Sequence, residues 1–188
     1  IAKAVPAIGT VSANVVNDTL ETSAIVQTRE DTTVRGTLSV DDGQSLVWGS
    51  SDIRYTFTPA DIANYEAVTG TVRVTVADTI APTGTVPIAA DSWAEFLNNI
   101  TFGLLFKQTQ SVSVVADDNL SGVDKIEYAS ADKAMTLDEV KAITDWTEYT
   151  DSFGVAVEDA KKFVYFIRIT DKAGNVAYLS TDGAEYDT

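Results

Sequence analysis

The chain has 188 residues, with 13 Lys and Arg against 28 Asp and Glu and a net charge of −15. That balance repels a phosphate backbone and argues against nucleic acid as a partner. Cysteine and histidine are both absent, which removes disulfides, thiolate and imidazole metal sites, and every nucleophile that needs an imidazole base.

Taken in order, the chain alternates apolar and polar residues as half-solvated strands do. Val11, Ala13 and Val15 mark the first strand, and Val34, Gly36, Leu38 and Val40 the next. Ile53, Tyr55 and Phe57 then alternate with Arg54, Thr56 and Thr58, and Val72, Val74 and Val76 face away from Arg73 and Thr75. Short strands between Asp, Gly, Asn and Pro clusters predict a β-sandwich. The alternation breaks at Asp78-Thr79-Ile80-Ala81-Pro82, and Pro82 and Pro87 cannot donate to a ladder. A boundary near Asp78 divides the chain into a first module, 1–77, and a second, 78–183, with 184–188 opening a further linker.

In the second module Ile100, Phe102, Leu104 and Phe106 alternate, as do Val112, Val114 and Ala116. Phe163, Tyr165, Ile167 and Ile169 form the strongest strand, followed by Val176, Tyr178 and Ser180. Asp171 to Asn175 between them reads as a hairpin loop, with Gly174 where φ must be positive. Two short helices are expected. Asp91 or Ser92 caps a turn through Trp93, Phe96 and Leu97, and Thr136 caps Leu137 to Ile143 with Asp138 and Glu139 in the first turn. The expected fold class is all-β: two tandem β-sandwich modules, the second with one or two short helices. No run reaches the roughly 18 apolar residues of a spanning helix, so membrane insertion is not expected. The chain begins at Ile1 and ends on a repeated Asp-Thr pair, which suggests one piece of a longer string of modules.

Two stretches carry a resemblance. Residues 46–76 hold Trp48, Tyr55 to Pro59, Asp61, Asn64-Tyr65 and Val68 to Val72, and resemble the closing half of a bacterial Ig-like repeat. Residues 78–183 hold Ala81-Pro82-Thr83-Gly84, Ser92-Trp93, Glu95 to Asn98 and Ile100 to Gly103. They continue with Ser121-Gly122-Val123, Ile126-Glu127-Tyr128, Trp146, Tyr149 and Ile169 to Val176. This second set resembles the Ig-like repeats of large Gram-positive cell-surface proteins. The resemblance implies an extracellular protein of the cell surface or cell wall, with no catalysis and no agreed ligand.

Each candidate site has a structural alternative. A tryptophan face can stack on a sugar ring; Trp48 and Trp93 read as packing residues, whereas Trp146 with Tyr149 is the candidate ligand pair. Tyr65 reads as a corner tyrosine holding backbone. The acidic pairs Asp117-Asp118, Asp138-Glu139 and Glu158-Asp159 lack the apolar setting that a general acid requires, and read as solvated surface. Ser111 with Lys107 shows no supporting nucleophile motif, so no enzyme is expected. An isopeptide bond would need Lys107 or Lys125 opposite an Asn or Asp. For a metal, Asp117, Asp118, Asn119 and Asp171 gather oxygens on loops, with Asp124 and Asp78 as further carboxylates, which suits calcium. The same side chains also fix turns by bonding their own backbone, and no Asp-x-Asp-x-Asp-Gly ladder is present.

The expected function is a non-catalytic spacer in a surface protein supporting adhesion, with neighbouring modules of the same parent chain as partners. The alternatives are a module that binds a glycan or a host protein, and an accessory module of a secreted glycan-degrading enzyme.

Overall fold

Alternation with period two buries every second side chain of a strand, and the central strands of this chain follow it closely. The computed structural model describes residues 2–16, 18–86, 88–89, 110–155, 164–181 and 185–186. Their regular structure is almost wholly antiparallel β-sheet, and the chain divides into two compact units, Ile1–Thr79 and Ile80–Thr188.

In the first unit, β1 (Val11–Val15) pairs with β2 (Ile25–Arg29) across a connection that contains a 3-10 turn at Thr22–Ala24. A second sheet has the order β3 (Gly36–Val40), β4 (Gly49–Pro59), β5 (Val68–Val76). Ile53, Tyr55 and Phe57 of β4 and Val72, Val74 and Val76 of β5 are buried, and Val11, Ala13 and Val15 of β1 pack on them. Phe57 and Val74 are fully buried, each contributing about 1.5–3 kcal/mol. Arg29 caps this core from β2, its guanidinium carbon 4.4 Å from the centre of the Phe57 ring, while donating to the carbonyls of Asp31 and Val34.

In the second unit, β6 (Thr83–Thr85) pairs with β9 (Val115–Asp117). A three-stranded sheet has β8 (Gln110–Val112) between β7 (Ile88–Ala89) and β12 (Phe153–Val155). The largest sheet runs β11 (Thr147–Glu148), β10 (Val123–Ala131), β13 (Val164–Asp171), β14 (Val176–Ser180), β15 (Glu185–Tyr186). Its inner face carries Ile126 and Tyr128, Ile167 and Ile169, and Leu179. On its outer face Phe166 is fully buried as well, and so is Val140 of α1 (Leu137–Lys141). Both faces of β13 are therefore covered, which explains the unbroken apolar run Val164 to Ile167. The α1 helix starts on a capping box: Thr136 Oγ1 accepts from the Glu139 amide, and Glu139 Oε2 accepts from the Thr136 amide at 2.8 Å.

Several expectations change. Val112, Val114 and Ala116 do not share one strand. Val112 belongs to β8 and Ala116 to β9, in different sheets, because strand pairing stops at Ser113 and Val114, where the Val114 amide donates to the Tyr149 hydroxyl at 3.0 Å. On β14 the core face belongs to Leu179, opposite the Val176 and Tyr178 series. Trp48 is not a packing residue: it lies before β4 and is 37% exposed, next to Val47 at 57%. The helix begins where Thr136 predicts and ends sooner, at Lys141 with Ala142 as C-cap. The expected Asp91–Leu97 turn, the Ile100–Phe106 strand, Lys107, Glu158-Asp159 and Phe163 lie outside the described residues.

Candidate functional site

Trp146 and Tyr149 take opposite sides of the large sheet. Antiparallel register sets Glu127 opposite Arg168 and Arg168 opposite Tyr178, all on the outer face. The loop after α1 lays the half-buried Trp146 over this row. Arg168 sits with its guanidinium carbon 4.6 Å from the indole centre, and the Tyr178 ring lies 6.2 Å away, tilted by 51°. The indole Nε1 donates to the Ile143 carbonyl at 2.9 Å, which fixes the ring. Arg168 also donates to Glu127 Oε2 at 2.8 Å, and Lys125 reaches Glu127 Oε1 at 3.3 Å. Glu127 is only 13% exposed in its side chain, and two cations answer its charge.

Tyr149 joins the inner face. Its ring meets Phe153 edge-on at 6.3 Å, and Phe153 stacks on Tyr128 at 4.3 Å and meets Tyr165 at 5.2 Å. Burial in this cluster, with the Tyr128 hydroxyl as a secondary cause, raises the Tyr165 pKa above the usual phenol value. Tyr149 serves structure through its bond to Val114, whereas Trp146 keeps a partly open ring beside ordered polar groups. Such a ring, with a guanidinium and a carboxylate alongside, can take the apolar face of a sugar.

The loop carboxylates are occupied by turns. Asp118 Oδ1 accepts from the amides of Leu120 at 3.2 Å and Gly122 at 2.6 Å and lies 3.5 Å from Ser121 Oγ. Gly122, at φ +81, lets the chain turn back into β10. Asp171 is 1% exposed, and its two oxygens accept from the Asn175 amide and side chain. Oxygens of Asp118 and Asp171 lie within 4.8 Å of each other. Asp117, Asn119 and Asp124 are exposed, and Asp117 is tied to β6 through its carbonyl, which accepts from Thr83 Oγ1 at 3.3 Å. A calcium ion needs six to eight oxygens; Asp118 and Asp171 come close, and both already accept from amides.

Other candidates have structural partners. Asp61 takes the Asn64 amide and side chain, which lowers its pKa through the side-chain bond first, and this turn precedes the main-chain bridge between Ala4 and Tyr65. Glu139 serves the helix cap, and Lys125 is paired with Glu127. The Ser111 side chain lies outside the described residues. An open cavity of about 550 Å³ lies between β10 and the segment after α1, lined by Ser130, Met135, Glu139, Ile143 and Asp145 among others.

Sequence reading missed the Arg168–Trp146–Glu127 group. Its signal was present: Arg168 is the lone cation in β13, a strand covered on both faces, so it called for a counter-ion. Compared with known proteins, the chain matches no family model and no curated sequence.

Proposed function

We propose that the chain is a pair of Ig-like β-sandwich modules acting as a non-catalytic spacer in an extracellular bacterial surface protein, of Gram-positive type and supporting adhesion. The supporting observation is that each unit holds its own apolar core, around Ile53, Phe57 and Val74 in one and Ile167, Ile169 and Leu179 in the other. A unit with its own core carries load and shape without help from its neighbour, which is what a repeated spacer requires. Sequence motifs in 46–76 and 78–183 supply the surface-protein part of this reading. Neighbouring modules of the parent chain are then its partners. Pulling the full chain by its ends in a single-molecule experiment tests it: two separate unfolding events are expected, and one cooperative event would overturn it.

A second reading, a glycan- or host-protein-binding module, is favoured by the half-open Trp146 beside Tyr178 and Arg168. Saturable binding of the full chain on a glycan or host-glycoprotein array, lost in Trp146→Ala, would replace the spacer reading with this one.

A further inference from the structure

The loop between β11 and β12 holds an unusual local contact. Ser152 donates its main-chain N–H to Oδ1 of Asp151, the residue directly before it, at 2.7 Å, and both residues are exposed. At other described aspartate turns the carboxylate takes an amide further along: two residues on at Asp31, three at Asp61, and four at Asp171. A carbonyl bond is about 1.23 Å, so the Ser152 nitrogen is within about 4 Å of Asp151 Cγ. The bond thus holds the nitrogen no more than about 0.5–1 Å beyond the roughly 3–3.5 Å of a near-attack arrangement.

We propose that Asp151–Ser152 is a site of spontaneous backbone isomerisation, with water as its only co-reactant. The Ser152 nitrogen attacks Asp151 Cγ. The N–Cγ bond forms, the amide proton passes to solvent, and one carboxylate oxygen takes two protons from solvent and leaves as water, closing a five-membered succinimide; the one proton gained overall is returned when the ring is hydrolysed. Water then adds to either imide carbonyl. Addition at Cγ breaks the new N–Cγ bond and restores aspartate. Addition at the main-chain carbonyl breaks the original peptide C–N bond, leaving the chain running through Cγ as isoaspartate. No electrons are exchanged, and the net change is an isomerisation. It lengthens the backbone by one methylene two residues before the stacked Phe153 ring, in the segment that seats the aromatic cluster.

Sequence preference alone points elsewhere. Asp42–Gly43 lacks the Cβ that hinders ring closure, and Gly43 sits in open space at φ +74. The Ser152 hydrogen bond singles out Asp151 in the folded chain, and the two sites can be compared within one digest. The full chain is held at neutral pH and body temperature, once folded in salt and once unfolded in guanidinium at matched ionic strength. Peptides are then separated and sequenced by mass spectrometry with fragmentation that distinguishes isoaspartate.

The expected result is several-fold more isoaspartate at Asp151 in the folded sample, relative to Asp42 in the same digest, than in the unfolded one. Equal or slower formation in the folded chain would overturn the proposal. Asp151→Asn passes through the same ring with loss of ammonia, so its product gains one mass unit when folded; Asp151→Glu should remove the isoaspartate.

Discussion

Asp171 accepts from Asn175 twice: the main-chain amide reaches Oδ1 and the side-chain amide reaches Oδ2, each at 2.8 Å. The pair closes the β13–β14 hairpin, with Gly174 at φ +94 completing the turn. Asp171 is 1% exposed, so water cannot replace these bonds easily. Asp171→Ala takes this acceptor from the half-buried Asn175 and should destabilise the second unit by about 1–3 kcal/mol. Asp171→Asn keeps one acceptor oxygen and should lose less. Differential scanning calorimetry of the full chain reads both as shifts of one transition.

The same bonds bear on calcium. Asp118 Oδ1 and both oxygens of Asp171 already hold amides, and the exposed Asp117 and Asn119 would have to leave their present surroundings to add ligands. Millimolar calcium against EDTA should leave the melting temperature of the second unit unchanged. A saturable rise, abolished by Asp118→Ala, would instead establish a bound ion.

How much of this was legible depends on period. In β4 and β5 one face is buried and one solvated, so Ile53, Phe57, Val72 and Val74 could be read directly. In β13 both faces are covered, so Phe166 was hidden beside the more obvious Ile167. At Val112 to Ala116 the period was real, but an interruption of the strand can preserve alternation while changing sheets. Trp48 misled because hydrophobicity favours burial, yet Gly49 at φ +85 marks an entry to β4 outside the core. Of the site, Thr136 and the Asp171 turn followed from local chemistry. Trp146 over Arg168 did not, since the loop after α1 joins them across 22 positions of sequence.

Ile167 and Arg73 should mark the two extremes of tolerance. Ile167 is fully buried in the central strand of the large sheet, and Ile167→Ala should cost about 2–5 kcal/mol. Ile167→Asp, which buries an unpaired charge, should unfold the second unit. Arg73 meets Asp52 at 3.1 Å, but the two side chains are 71% and 58% exposed, so Arg73→Ala should cost no more than about 1 kcal/mol. Chemical denaturation of each variant followed by fluorescence checks both.

Gly70 sits directly opposite Tyr55, whose ring lies across it. A Cβ at Gly70 would stand 2.4 Å from the Tyr55 hydroxyl and 2.6 Å from Cζ. The ring must move, and Tyr55 is 9% exposed within the core of the first unit. Gly70→Ala should therefore destabilise that unit by about 1–3 kcal/mol. Gly70→Ala with Tyr55→Leu should recover part of the loss, and a thermal melt of the double variant no higher than the single would contradict the steric account.

Acid should loosen the α1 cap before the cores respond. The Thr136 main-chain amide, then its hydroxyl, and then the Lys133 charge hold the Glu139 pKa below its usual carboxylate value. A carboxyl with a lowered folded pKa binds its proton more readily in the unfolded chain. Its stabilising contribution is therefore complete above the unfolded value, about 4.3 for Glu, and is lost as pH falls through the lower folded value. An NMR titration of the Glu139 carboxyl carbon should give a midpoint below the ordinary one. Thr136→Ala removes the hydroxyl but keeps the main-chain donor, so it should move that midpoint only part of the way back. Glu139→Gln should leave the α1 amide shifts unchanged through the same acid range, because its side-chain carbonyl still accepts from Thr136 and has no charge to lose. A wild-type midpoint at the ordinary value, with the α1 shifts unaltered in acid, would show that the capping bonds do not hold the ionised form.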